Sequence, residues 1–299
     1  MTHFKLPLVG ITILAIISCT TASSLAQDDE AYQEIFRQVA ARGTEIQTGV
    51  FEATGEMTGA GAPQPDKGDL EFFCAFDFPE GKMRFDRFLN TDARLVSREY
   101  AGGQFVQTAS EMITFPRYLK KIIIGPLESR PPGWIEIIDV RALGLLGRGD
   151  IMKSFSFETI LFNYRKMPGA VVFEEPDGLL KVEWTNGLSR RACFFDKGKA
   201  YSVTRHTLST ATLKDGEPDW GKPREDHRIT YEKRDDLWIP NAWSSVTSDW
   251  SEKVTIKWKS LNEAVDDKYF SVESLDTKRA ERIVDLRRSP AGSRPAKNK

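Results

Sequence analysis

The residue types that most often carry chemistry are sparse beyond residue 26: His206, His227, Cys74, Cys193 and three carboxylate pairs. Each histidine sits in a segment that reads as a strand. His206 shares a face with Thr204 and Leu208, and His227 with Ile229 and Tyr231. Only Glu225 and Asp226 stand close to either one in sequence. A zinc site needs three or four ligands converging on one point, so both read as ordinary strand histidines and no metal site is expected. Cys74 and Cys193 lie in apolar runs (Phe72-Phe73-Cys74 and Cys193-Phe194-Phe195), where burial raises a thiol pKa and makes it inert. No G-x-S-x-G elbow is present to hold a serine nucleophile. Asp28-Asp29, Asp235-Asp236 and Asp266-Asp267 fall at turns, where solvated carboxylates are usual. Gly55 to Gly61 lacks the lysine and helix start of a phosphate loop. The expectation is a non-catalytic chain with no cofactor.

Aromatic surface is what remains. Phe72, Phe76, Phe78 and Phe85 come from early strand-like runs, and Trp184 and Trp258 from later ones. Two readings stay open. These rings fill a packed core, or they line the concave face of a half-closed barrel that takes an apolar ligand.

The elements that position them are mainly strands. Residues 31–41 predict a helix with Tyr32, Ile35, Val39 and Arg42 on one face, stopped by Gly43. A strand follows over residues 45–58. Leu70, Phe72, Cys74, Phe76 and Phe78 alternate, which buries one face of a strand. Pro79-Glu80-Gly81 turns the chain toward Met83 and Phe85. Gly102-Gly103 reads as a hairpin turn between strands over 95–100 and 104–108. Residues 111–168 carry Pro116, Pro126, Pro131 and Pro132 and read as an insertion covering one opening of the sheet. Its helix, residues 155–167, buries Ile160, Leu161 and Tyr164. From Gly169 on, hairpins resume, with Pro176-Asp177-Gly178, Asn186-Gly187, Lys197-Gly198 and Asp235-Asp236 as turns. The spacing predicts ten or eleven strands in an antiparallel meander, sandwich or barrel.

The start of the chain reads as an export signal. Lys5 precedes an apolar run over residues 6–20, and Ser24-Leu25-Ala26 fits a small-x-small cleavage site. The run is short for a membrane span. Two processing routes remain open: cleavage near Ala26, or lipidation of Cys19 within Ile16-Ile17-Ser18-Cys19, which resembles a lipobox and would bring membrane contact. Either places the protein in the periplasm or elsewhere outside the cytoplasm. There Cys74 and Cys193 either pair or remain buried thiols. The predicted organisation is a signal peptide over 1–26, one β domain over 27–276, and a basic, partly disordered tail over 277–299. That tail holds eight Lys or Arg against Glu281 and Asp285. The body is net acidic, which argues against nucleic acid as a partner.

The C-terminal third carries a family resemblance. Asp236-Leu237-Trp238-Ile239-Pro240-Asn241, Val254-Thr255-Ile256-Lys257-Trp258, and Leu261-Asn262-Glu263-Ala264-Val265-Asp266-Asp267-Lys268-Tyr269-Phe270 run in that order. The arrangement resembles secreted bacterial, planctomycete-type proteins related to the outer-membrane lipoprotein carrier LolA/LolB superfamily. The early helix and Val140-Arg141-Ala142-Leu143-Gly144 are similar too. The resemblance implies a strongly curved antiparallel sheet forming an unclosed barrel, with an N-terminal helix and a helical mid-chain insertion as lid. It implies an envelope binding protein that holds a lipid acyl chain or other apolar ligand, with an envelope protein as a further partner. The alternative is a structural or interaction module with a packed core. No contact residue of the carriers maps onto a position here.

Overall fold

In the computed structural model, residues 29–59, 67–90, 102–127, 139–145 and 157–287 are described. The predicted signal, Cys19, the strand over 95–100 and the last part of the basic tail lie outside them. Among the described residues there are two α-helices, α1 over residues 29–45 and α2 (Phe157–Arg165). The strands are β1 (Thr48–Gly59), β2 (Lys67–Asp77), β3 (Lys82–Asn90), β4 (Gly102–Gln107), β5 (Glu111–Pro116), β6 (Lys121–Pro126), β7 (Ala170–Glu174), β8 (Leu180–Asn186), β9 (Ser189–Asp196), β10 (Ser202–Lys214), β11 (Glu217–Trp220), β12 (Glu225–Arg234), β13 (Leu237–Val246), β14 (Trp250–Leu261) and β15 (Arg282–Asp285).

All fifteen join one curved sheet in the order β15-β6-β5-β4-β3-β2-β1-β14-β13-β12-β10-β9-β8-β7, with β11 attached to β10 alone. Pairing is antiparallel throughout except between β15 and β6. The path begins at β15 and ends at β7, so the sheet is not closed into a barrel. The expected architecture is therefore observed, with more strands than predicted. Residues 111–126 are β5 and β6 rather than insertion, and a short hairpin joins β10 to β11. Gly102 opens β4 instead of making a turn. At φ 91° it lies where a Cβ would strike the Arg87 carbonyl.

Alternation decides which face each side chain takes. The inner face carries the largest apolar cluster, with Phe51, Leu70, Phe72, Cys74, Phe76, Phe85, Phe105, Trp243 and Trp258 among its members. Against the inner face of β8–β10 lie α1, through Tyr32, Ile35, Phe36 and Val39, and α2, through Phe157, Ile160, Leu161 and Tyr164. Helix α1 runs through Gly43 rather than stopping there. A Cβ at that position would lie 2.1 Å from the Phe157 ring, so the glycine serves the close approach of α2.

Residues 139–145 pin both helices to the sheet. The Asp139 carboxylate accepts from the Arg141 guanidinium at 2.8 Å and from the Phe157 backbone N–H at 3.1 Å. Arg141 lies 3.6 Å over the Phe78 ring, and its carbonyl accepts from Arg42. Gly144, at φ 89°, sits where a Cβ would meet Val203 and Ile229.

The outer face of β1–β6 is covered as well. Residues 264–280 lay Phe270 and Leu275 against Val50, Ala75, Val106, Ile113, Phe115, Ile122 and Ile124. Part of the basic C-terminal stretch joins the sheet itself, because Arg282–Asp285 form β15 beside β6 and Arg287 ion-pairs with Glu111 and Asp285.

Candidate functional site

The inner face is the candidate site, and five of the six aromatic candidates meet there in one cluster. Phe72 contacts Phe85 at 5.9 Å between ring centroids and Trp243 at 5.3 Å. Phe76 stacks on Phe78 at 4.5 Å and meets Trp258 edge-on at 6.2 Å. The Trp258 indole N–H donates to the Pro240 carbonyl at 2.9 Å, which fixes the ring. Trp184 is not part of this group. It belongs to the helix-covered cluster, against Tyr32, Phe36 and Tyr164. All the candidates except Phe78 are buried, and Phe76 is fully so. Phe78 falls in the turn after β2 and is partly buried under Arg141.

The cysteines are separated. Cys74 belongs to the central cluster and Cys193 to the helix-covered one, and both are buried thiols outside any disulfide. The disulfide left open by the sequence is absent. Burial pushes the Cys74 thiol well above its ordinary pKa, and it pushes the Tyr32 hydroxyl up to about 12.

A polar row that the sequence did not reveal crosses the same face. Pairing aligns Cys193 with His206, His206 with His227, His227 with Ser245, and Ser245 with Glu252. The two imidazoles stack at 5.7 Å with planes 18° apart. His227 Nδ1 is 2.8 Å from Ser245 Oγ, and its Nε2 is 3.5 Å from Glu225 Oε2. The Trp243 indole donates to Glu252 at 2.9 Å. The Glu225 carboxyl is held below its ordinary pKa, chiefly by hydrogen bonding from His227, with Arg224 adding to it. The alternation of β12 and β13 places His227 and Ser245 on a face each. The register that joins them depends on a bulge at Thr230–Tyr231, which no spacing in the sequence announces.

Serine, histidine and glutamate thus stand in the order of nucleophile, base and orienting acid. The surroundings do not support attack. Ser245 is the penultimate residue of β13 and is buried, between ladder partners on β12 and β14. Its flanking amides therefore serve strand pairing rather than an oxyanion hole. Among the described residues no group of three or more His, Cys, Asp or Glu is arranged to hold a metal ion.

Two openings lie away from this row. One, of about 460 Å³, lies on the outer face between Phe73, Lys259, Val265 and Tyr269. The other, of about 250 Å³, lies beside Phe78, Lys82, Gln107, Arg141 and Glu158.

No family model matches the chain, and no curated protein matches it in sequence. Solved structures similar to it include a DUF1329 family protein from Desulfovibrio piger, at 10% identity and TM-score 0.46, covering 81% of this chain and 98% of that one. A putative outer membrane lipoprotein-sorting protein domain from Vibrio parahaemolyticus is 12% identical at TM-score 0.47, with coverage of 81% and 98%. A LolA superfamily protein from Nitrosomonas europaea is 11% identical at TM-score 0.41, with coverage of 80% and 98%. The strand order and register define the fold.

Proposed function

We propose that this protein is an exported envelope or periplasmic binding protein that holds a lipid or other apolar ligand against the inner face of its unclosed sheet. The observation that supports this is the run of apolar side chains along the inner faces of β1–β5 and β12–β14, in a sheet whose edge strands do not meet. Apolar burial would drive binding, at roughly 25 cal/mol per Å² removed from water. Phe72, Phe76, Phe78, Phe85 and Trp258 form one wall of the proposed site, and Trp184 forms the wall beneath the helices. The rings contact one another in the form described, so a ligand enters by shifting the segment over residues 139–145 and the helices tied to it.

The same contacts support a second reading, a structural or interaction module with a packed core. Native mass spectrometry of the protein purified from its own host separates the two. The carrier reading expects a co-purifying apolar molecule and saturable binding of an apolar dye. An empty protein that binds no dye leaves the packed module.

A further inference from the structure

We infer that the outer face of β8–β14 is a docking surface for an anionic lipid bilayer. This goes beyond the binding reading above: the inner face takes the ligand, and the opposite face meets the membrane.

The argument begins with position. Alternation turns Cys193, His206, His227 and Val254 inward, so the residues beside them point outward. Strand pairing sets those neighbours in one row across the sheet. Lys181 lies beside Phe173, then come Phe194, Arg205 and Arg228, and Lys253 follows past Ser244. The row holds four cations and no carboxylate. Arg205 and Arg228 stand directly opposite each other. Like charges in that position destabilise a sheet unless a counter-charge meets them.

The carboxylates nearby are too few to neutralise the face. Asp226 pairs with Arg205 at 2.9 Å and with Arg228 at 3.3 Å. Glu183 pairs with Lys181 at 2.6 Å and lies 4.0 Å from Arg190. Each acid is shared between two cations, so each trio keeps a net positive charge. On β14, Lys253 and Lys257 are exposed and have no ion-pair partner among the described residues. They stand across the ladder from Glu56 and Glu52, and Glu52 pairs with Lys259. Seven cations thus face four carboxylates, on a chain whose formal net charge is −1.

Spread and composition select the occupant. From β8 to β14 the cations cover roughly 24 Å, five strand spacings, which exceeds any single small anion. A layer of lipid phosphates accepts cations spread this way without a matching arrangement of its own. A protein partner would have to place a carboxylate at each. Apolar side chains flank the row as well. Val171 and Phe173 are exposed at the open edge of β7, and Val246 is exposed at the end of β13. At a bilayer interface lysine and arginine meet the phosphates while apolar side chains enter the headgroup boundary.

The test sediments the exported protein with vesicles of phosphatidylcholine, alone or mixed equally with phosphatidylglycerol. Binding should be about tenfold or more tighter to the mixed vesicles. It should weaken steeply in about 0.5 M salt, where charges are screened within roughly 4 Å. Combining Arg228→Gln, Lys253→Gln and Lys257→Gln, all at exposed positions, should weaken mixed-vesicle binding roughly 100-fold, about fivefold for each charge. Combining Arg294→Gln, Lys297→Gln and Lys299→Gln removes the same charge from the basic tail and should change binding less than about threefold. Equal loss in the two triple variants overturns the inference, because net charge rather than this face would then be read. Equal binding to the two kinds of vesicle overturns it too. Binding to soluble polyglutamate but not to mixed vesicles would make the partner an acidic protein and reject the bilayer. Loss confined to the sheet variant supports the docking surface even where the wild type binds no apolar dye, an outcome that removes the ligand reading alone.

Discussion

The two halves of the sheet solve burial differently. Strands β1–β6 lie between layers, with the apolar cluster on the inner face and residues 264–280 on the outer face. Strands β7–β14 are covered on the inner face only, by α1, α2 and part of the apolar cluster. Their outer face is largely exposed, with Val171 and Phe173 at the open edge and the Arg205–Asp226 ion pair in the middle. The sequence reflects this. Met112-Ile113-Thr114-Phe115 and Ile122-Ile123-Ile124 are unbroken buried runs, whereas Val254-Thr255-Ile256-Lys257-Trp258 alternates. A strand buried on both faces loses its period of two. That is why residues 111–126 read as insertion.

Breaking the doubly covered half should have the largest effect. Phe76→Asp places a charge at a fully buried position against Phe78 and Trp258, so loss of about 4 kcal/mol or more is expected, enough to unfold the domain. Denaturant melts measure it. A folded variant would show that this region is open to solvent and ligand. The outer layer supplies the next test. Phe270→Ala should cost about 3 kcal/mol. Hydrogen exchange should rise in β4–β6 and stay unchanged in β8–β13, and a uniform rise would deny that the two halves are distinct.

The plug joins the halves, so it sharpens the comparison. Gly144→Ala meets both a left-handed φ and the Val203 carbonyl at 3.0 Å, and should cost about 1–3 kcal/mol. Tryptophan fluorescence near Trp184 should report the loosened helices. Cys74 and Cys193 stand one in each half. Neither should react with a thiol reagent in the native state, and rapid labelling of Cys193 alone would locate local opening under the helices.

The smallest effect is on the exposed face. Arg205 and Arg228 hold the Asp226 carboxyl below its ordinary range against a desolvation that acts the other way. A depressed folded pKa stabilises above the unfolded value near 3.8, and that stabilisation is lost as pH falls through the lowered one. Arg205→Ala should therefore cost under about 1 kcal/mol at neutral pH. The difference from wild type should stay flat down to about pH 5 and vanish in strong acid.

The sequence by itself determined the class of fold, the helix α2 with its buried stripe of Ile160, Leu161 and Tyr164, and most hairpins after Gly169. Those follow from period and turn chemistry, which are local. It also placed Phe72, Cys74 and Phe76 on one face of β2. Tertiary structure decided what local pattern cannot carry. The role of Gly43 is contact with Phe157, more than a hundred residues away. The separation of Trp184 from the other aromatic candidates depends on which cluster the helices cover. The row from Cys193 to Glu252 exists only through the register of five strands, two of which carry bulges that reset their pairing. A one-residue slip in any of them would turn His227 or Ser245 to the opposite face.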